Sequence, residues 1–362
     1  MKCPRKLLAA SVTIGLVLAA FSAIRARNAY GQGSGQETPP QATKPDDDKG
    51  KIIQTVRVVV VPVTVKDSAG ELVTDLQKND FRVFEDGIEQ PIQEFSVDPF
   101  PLSAAILVDD DLKQSTAEKV QKTLETLAGG FGPSDEVSLW IFDAVPQKVS
   151  DDFLADNDKL LTELKKITLN SSIPGMGSYA MTSGPRVNTA QPPGPAEVPA
   201  DANRPPITKH IDDALFAAAD QLKDRPRDMR RIIFVISDGQ NAKNNTHKYS
   251  DTLKALLSAD ISVYAVGVGE ANLNRGITFL GNNVLAKYAH ATGGDIFYGG
   301  VSREHLEELY ARVSEQARNQ YTIAYSGAHT DRTKEYHTIE VRVRRPGLSL
   351  LTRDGYYLNA TP

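Results

Sequence analysis

The fold is decided by residues 104–118, which read Ala-Ala-Ile-Leu-Val-Asp-Asp-Asp-Leu-Lys-Gln-Ser-Thr-Ala-Glu. The first five residues form a continuous apolar run, which is typical of a strand buried on both faces. Three consecutive aspartates follow, and Ser115 and Glu118 then have capping-box spacing, which predicts a helix starting at Ser115. A buried strand, an acidic loop and a helix N-terminus together indicate a site at the carboxyl edge of a parallel sheet.

The negative charge of the three aspartates must be compensated. Adjacent carboxylates repel one another unless a cation, a basic side chain or water lies among them. Lys113, inside the same loop, is the nearest candidate. The alternative interpretation is an ordinary solvated acidic turn.

Composition places the chain among globular proteins. Its 362 residues are enough for two domains, with 40% hydrophobic and 24% charged residues. A net charge of −5 argues against the strongly basic surface of a nucleic-acid-binding protein. Cys3 is the only cysteine, so no intramolecular disulfide can form.

The N-terminal residues predict export. Basic residues precede an apolar stretch at 7–24, and Ala29-Tyr30-Gly31 is typical of a secretory cleavage site before Gln32, so residues 1–31 are predicted to be a signal peptide. An uncleaved anchor is the alternative, because the apolar stretch is nearly long enough to span a bilayer. Either way we expect an extracytoplasmic protein, whether periplasmic, secreted or envelope-associated. Residues 32–51, rich in Gly, Gln, Pro and Asp, read as a flexible linker.

The two ends of the remaining chain are rich in β patterns. In residues 52–100, Glu85-Asp86-Gly87 separates two apolar runs and predicts a hairpin. In residues 319–358, we expect short strands at 321–325, 337–343 and 351–357. These two β-rich segments are predicted to pair and complete one small antiparallel β-domain.

Residues 101–318 alternate strand and helix patterns, which predicts a doubly wound, mostly parallel α/β sheet inserted in that β-domain. Asp109 and Asp238 each follow a buried strand, so we expect them close together at the carboxyl edge. Residues 170–206 are Pro- and Gly-rich with almost no periodicity, and a loop of this length is usually functional or disordered.

Several motifs in order resemble a von Willebrand factor type A domain. They are Val108-Asp109 with the amphipathic helix after it, Ile236-Ser237-Asp238-Gly239 and Ala291-Thr292-Gly293-Gly294. Residues 63–67, 79–87 and 353–357 add a resemblance to a family of exported proteins with such a domain, common in acidobacteria. The resemblance implies a Rossmann-like α/β fold over residues 101–318.

The resemblance also implies where a metal would bind. Such domains usually hold Mg²⁺ at a metal-ion-dependent adhesion site, built from D-x-S-x-S, a threonine loop and a later aspartate. Asp109 matches the first aspartate and Asp238 the later one, whereas Asp111 and Lys113 stand at the two serine positions. Lys209 stands at the threonine position. Thr208, one residue earlier, is the remaining candidate for the threonine-loop ligand.

Two lysines at ligand positions argue against a metal. An ammonium group near the place of the cation neutralises the aspartates and repels Mg²⁺. We therefore predict a degenerate adhesion site without a cofactor. Mg²⁺ held by Asp109, Asp111 and Asp238 is the alternative, if both lysines turn to solvent and Asp111 ligates through water.

The function expected from these features is a non-catalytic protein-interaction or adhesion module in the cell envelope. A protein partner would dock over the carboxyl edge, at Asp109, Asp111, Lys113, Thr208, Lys209 and Asp238. We expect no nucleic-acid partner, and membrane contact only through an uncleaved N-terminus. One alternative is a haloacid-dehalogenase-like phosphatase, with Asp109 as nucleophile and Asp111 as acid/base. Another is a structural spacer of the envelope.

Overall fold

The structure is a computed structural model that describes residues 58–150, 153–154, 156–169, 171–172, 209–269, 271, 283–327 and 333–358. The predicted signal peptide and linker lie outside these residues, as does the loop 170–206 apart from residues 171–172. Within the described ranges, no helix is long and apolar enough to cross a membrane.

The N-terminal β-rich segment forms four strands. They are β1 (Val58–Lys66), β2 (Phe81–Glu85), β3 (Ile88–Gln90) and β4 (Ile92–Ser96). Asp86 and Gly87 connect β2 to β3 and have positive φ angles of 49° and 82°, the signature of a type I′ hairpin turn. The predicted Asp-Gly hairpin is confirmed. Its second strand stops at Pro91, and β4 pairs in a different sheet.

The middle of the chain is the predicted α/β unit. Its strands are β5 (Leu102–Asp109), β6 (Leu112–Lys113), β7 (Glu136–Phe142), β8 (Pro146–Lys148), β9 (Ser171–Ser172), β10 (Arg230–Ser237), β11 (Ile261–Gly267) and β12 (Ile296–Tyr298). Its helices are α1 (Gln114–Thr123), α2 (Asn157–Lys166), α3 (Ile211–Leu222), α4 (Tyr249–Ser258), α5 (Val284–Ala291) and α6 (Arg303–Arg318). A 3₁₀ helix, Leu124–Gly130, follows α1.

The main sheet has the order β12-β11-β10-β5-β7-β8, and only the β7–β8 pair is antiparallel. Alternate residues of β5 serve separate cores: Ile106 belongs to one hydrophobic cluster and Leu107 to the other. Helices therefore cover both faces, which confirms the doubly wound fold and explains the continuous apolar run in the sequence.

The start of α1 differs from the prediction. The helix begins at Gln114 with Lys113 as its N-cap, and Ser115 lies inside the first turn. Glu118 accepts a hydrogen bond from the side chain of Gln114, at 3.1 Å, instead of closing a capping box. The predicted Ser115 cap is wrong because β6 pairs with β9 up to Lys113 and the chain turns helical directly afterwards.

The C-terminal segment supplies β13 (Tyr321–Ser326), β14 (Tyr336–Val343), β15 (Ser349–Thr352) and β16 (Gly355–Tyr357). They combine with the first four strands in two antiparallel sheets, ordered β15-β1-β13-β4 and β16-β14-β2-β3. The inward side chains of both sheets form one core, including Val61, Val83 and Ile323. The predicted pairing of the two ends is confirmed, and the two sheets form a β-sandwich.

The β-sandwich contacts the amino edge of the parallel sheet. Arg353 forms an ion pair with Asp260, directly before β11, and Lys66 pairs with Asp295, directly before β12. The guanidinium of Arg230, the first residue of β10, lies 3.2 Å from the Thr322 hydroxyl. The carboxyl edge of the sheet is therefore on the side away from the β-sandwich.

Candidate functional site

The carboxyl edge brings the two predicted aspartates together. β5 and β10 are parallel neighbours with Val108 beside Ile236, so Asp109 and Ser237 end adjacent strands at the same level. Asp238 follows in the next turn, where Gly239 has a φ of 75°. This is the arrangement expected when parallel strands end at one edge of a sheet.

Lys209 joins the two carboxylates. Its ammonium nitrogen lies 2.7 Å from Asp238 Oδ2 and 3.2 Å from Asp109 Oδ2. The lysine side chain is only 4% exposed, and those of the two aspartates are 0% and 5% exposed. The charge that meets these carboxylates inside the protein is therefore the chain's own ammonium group.

The backbone on either side of Lys209 is fixed. Ala242 N–H donates to the Lys209 carbonyl at 2.8 Å, and His210 N–H donates to the Asp143 carbonyl at 2.8 Å. These bonds tie the lysine to the loops after β10 and after β7. The ammonium position is thus set by the main chain as well as by charge attraction.

The remaining carboxylate lone pairs also have donors. Ser237 Oγ donates to Asp109 Oδ2 at 2.6 Å, and Asp111 N–H donates to Asp109 Oδ1 at 3.0 Å. Gln240 donates to Asp238 from its backbone, at 3.0 Å, and from its side-chain amide, at 3.2 Å. Such a satisfied network makes two buried carboxylates tolerable.

Burial and the neighbouring charges together set the pKa values of Asp109 and Lys209. Burial raises the pKa of Asp109 to about 6, against the opposing pull of Lys209, and the charge of Asp238 adds to the rise. Burial lowers the pKa of Lys209, but the two carboxylates outweigh it and hold that pKa above its ordinary value. The lysine therefore keeps its proton and acts as a fixed cation.

A second polar network anchors the helix that follows Lys209. Asp212, in the first turn of α3, accepts hydrogen bonds from Asn241 at 2.9 Å and from the Tyr288 hydroxyl at 2.8 Å. Asp213 accepts from the backbone N–H groups of Thr246 and His247, at 2.8 and 2.7 Å. Burial raises the pKa of Asp213, but these hydrogen bonds outweigh it, so the pKa lies below its usual value. The network fastens the loop after β10 to α3.

The sequence did not single out these anchoring residues. Ser237 entered only through the strand-end motif and as a phosphate-binding hydroxyl in the phosphatase alternative. Asp213 served only to align Lys209 with the threonine position of the family motif. Asp212 and Asp213 form an acidic pair in a first helical turn, which favours any helix N-terminus. The hydrogen-bond partners of the Asp212 and Asp213 side chains lie 29 to 76 residues away, and the Asp109 partner of Ser237 lies 128 residues away, so spacing carried no signal.

The other predicted site residues are placed less centrally. Asp111 is half-buried, and Lys113 is exposed on β6. Thr208 lies outside the described residues. Lys209 itself has almost no surface to offer a partner. The sequence predicted that Lys209 contacts a partner directly. In the structure it instead holds Asp109 and Asp238 together inside the protein.

The donor set does not fit a hard divalent cation. Mg²⁺ requires oxygen ligands in an octahedron, yet an ammonium group lies between the two aspartates that would coordinate it. Among the described residues, no group of three or more His, Cys, Asp or Glu side chains is arranged to hold a metal.

The chain also resembles known structures at low identity. A von Willebrand factor type A protein from Catenulispora acidiphila is 8% identical, with a TM-score of 0.43, over 78% of this chain and 76% of that one. Proximal thread matrix protein 1 of the mussel byssus is 12% identical, with a TM-score of 0.42, over 62% of this chain and 49% of that one. An aerotolerance-related membrane protein from Bacteroides fragilis is 16% identical, with a TM-score of 0.38, over 59% of this chain and 99% of that one.

These likenesses say nothing about the function of this chain, because the TM-scores lie below 0.5. The chain spans about half the length of the mussel protein. A search of curated proteins found no significant match.

The family comparison is more specific. Residues 203–310, less than half of the chain, match the family model of the von Willebrand factor type A domain. The matched part contains Lys209, Asp238 and the strands β10 to β12. Residues 203–310 are therefore similar in sequence to a von Willebrand factor type A domain.

Proposed function

We infer that this chain is a non-catalytic, extracytoplasmic protein-interaction module whose degenerate adhesion site works without a metal. The observation that carries the proposal is the Lys209 ammonium group between Asp109 and Asp238. In this proposal the lysine keeps the carboxyl edge rigid and electrically balanced, and a protein partner docks over it.

The surface around Asp109, Lys209 and Asp238 supports docking at the carboxyl edge. Val145, in the turn between β7 and β8, is 61% exposed. Its N–H donates to Asp143 Oδ1, and the Asp143 carbonyl holds the backbone next to Lys209. An exposed apolar side chain on a fixed loop offers apolar surface that a partner can bury. Lys113 adds an exposed positive charge at the same edge.

Burial of Asp109 argues against the phosphatase alternative. A nucleophilic carboxylate must reach the phosphorus atom of a substrate. Asp109 is 0% exposed. Its Oδ2 already accepts a hydrogen bond from Ser237 and forms an ion pair with Lys209.

The proposed location outside the cytoplasm rests on residues 1–31. N-terminal sequencing of the native protein tests it, and a cytoplasmic chain beginning at Met1 would contradict it.

The docking edge is tested by capture of partners from envelope extract with matched surface variants. Val145→Asp places a charge at the carboxyl edge, whereas Ile88→Asp does the same at a residue that is 53% exposed on the β-sandwich. We expect Val145→Asp to lose partners that wild type and Ile88→Asp retain. Capture should be unchanged by a metal chelator and should weaken with salt, since screening reduces the contribution of Lys113.

Two outcomes would contradict the proposal. Equal capture by all three proteins would place the binding face elsewhere or favour an inert spacer. Loss of capture with the chelator would mean that a metal takes part in binding.

A further inference from the structure

Along the polypeptide, the chain that precedes β1 is connected to the α/β unit through the β-sandwich. Residues 1–57 enter the described structure at Val58, the first residue of β1. The β-sandwich contacts the amino edge of the parallel sheet, through Lys66 and Arg353 among others. Asp109 and Lys209 lie at the opposite, carboxyl edge. A pull between a docked partner and the preceding chain must therefore pass through β1.

β1 is an interior strand. It pairs with β13 over residues 58–63 and with β15 over residues 63–66. The two ladders together cover the whole strand and overlap at Val63. Val59, Val61, Val63 and Val65 are buried in the sandwich core.

The direction of loading is set by the register. Val58, where the pull enters, pairs with Ser326 at the far end of β13. Tyr321, where β13 continues from α6, pairs with Val63. Load thus enters and leaves the ladder at opposite ends, which is shear. In shear all ladder hydrogen bonds resist together, whereas a strand that is peeled from its end loses them one at a time.

Further contacts join β1 to neighbouring parts of the β-sandwich and to the α/β unit. The Gln320 amide donates to Thr64 Oγ1 at 2.9 Å, and Lys66 pairs with Asp295. Arg353 donates to the Val60 carbonyl at 2.6 Å while pairing with Asp260. β1 therefore slides only if these contacts break together with both ladders.

We propose that β1 is a mechanical clamp, which carries load in shear between the docking edge and the chain that precedes Val58. The clamp rests on the proposed function and on the alternative of an uncleaved N-terminal anchor, because it serves a module that is held at its N-terminus while a partner pulls on the carboxyl edge. By contrast, among the strands that the structure describes, β16 lies at an edge and pairs only with β14, from Gly355 to Tyr357. A pull on the C-terminal residues would peel it.

Single-molecule force spectroscopy of the full chain tests the clamp. The sole cysteine is removed by Cys3→Ser, so that handles attach only at introduced cysteines. One protein carries Ser34→Cys and Ala144→Cys, which load β1 from the exposed turn at the docking edge. The matched control carries Ala144→Cys and Pro362→Cys, which load β16. At equal loading rate, we expect a mean unfolding force about twofold or more higher for the first protein, since forced unfolding follows the barrier to unfolding.

An equal or lower force for the Ser34 geometry would overturn the clamp. The measurement uses no partner, so its failure leaves the proposed docking edge untouched. Failure of partner capture would likewise leave the force result standing. The two proposals are thus tested separately.

Discussion

At the scale of single residues, Lys209 makes two buried carboxylates tolerable at neutral pH. Lys209→Met keeps much of the side-chain volume but removes the charge. We expect it to lower the free energy of unfolding at pH 7 by about 3–5 kcal/mol, the usual cost of leaving a buried charge unpaired. Urea unfolding measures this, with Lys113→Met at an exposed position as the control.

The loss in Lys209→Met should shrink at acid pH. Without the ammonium, the carboxylates repel each other, so the folded protein binds a proton more readily than the unfolded chain. Stability then rises as pH falls. Equal unfolding free energies for Lys209→Met and Lys113→Met would show that the cluster does not need its cation.

Asp86 provides an independent acid-sensitive contact in the β-sandwich. Burial raises its pKa, but hydrogen bonds from His337 and Thr338 outweigh this and lower it to about 2. Since the folded pKa lies below the unfolded one, the stabilisation is present above about pH 4 and is lost as pH falls towards 2. It amounts to about 2 kcal/mol, at about 1.4 kcal/mol per pKa unit.

Asp86→Asn should remove this stabilisation at pH 7 and differ little from wild type near pH 2. Asparagine tolerates the positive φ of 49° at this position, so the backbone is retained. Urea titrations across this pH range measure the effect. Asp75→Asn, at a solvent-exposed ion pair with Arg345, is the control and should change little. A constant difference between Asp86→Asn and wild type at all pH values would contradict the assignment.

The sequence located the charged residues of the site better than their contacts. Asp109 and Asp238 were predictable because each follows a continuous apolar run, and such strands end at a common edge. The pairing of Lys209 with both was indicated only by the family resemblance. The contacts of Asp212 and Asp213 depend on how the loop after β10 folds back, which no local pattern encodes.

At the scale of elements, Gly293 sets the close approach between α5 and β15. Its φ is 74°, and a Cβ there would lie 2.6 Å from Arg353 N and 2.8 Å from the Thr352 carbonyl carbon. We expect Gly293→Ala to destabilise the protein by about 1–3 kcal/mol, through backbone strain and displacement of β15. Gly300→Ala, where a Cβ meets nothing within 4 Å, is the control.

Thermal or urea unfolding of the two glycine variants provides the measurement. If both variants matched wild type, the contact between α5 and the β-sandwich would be looser than described. If Gly300→Ala destabilised the protein more than Gly293→Ala, the close approach at Gly293 would not limit the packing of α5 against β15.

Elements were predicted well where local chemistry decides them. The Asp-Gly hairpin and the alternation of strands and helices over residues 101–318 appeared as expected, because turn residues and periodicity act over a few positions. The apolar run after the Asp-Gly turn and the strand predicted at 351–357 each divide between two sheets, at Pro91 and at Arg353. Periodicity identifies a strand but not its partner.

At the scale of the whole molecule, the two ends of the chain build one β-sandwich on the amino edge of the sheet, and the candidate docking edge faces away from it. This separation follows from topology rather than from any single motif. It gives Asp109, Lys209 and Asp238 a fixed position at the edge of the sheet opposite the β-sandwich.

The most direct test of a metal-free site is calorimetric titration of the wild-type protein with Mg²⁺ and with Mn²⁺. Because the Lys209 ammonium lies between Asp109 and Asp238, we expect no binding of either cation below millimolar concentrations. Micromolar binding that is lost in Asp109→Ala would contradict this and restore a metal to the site.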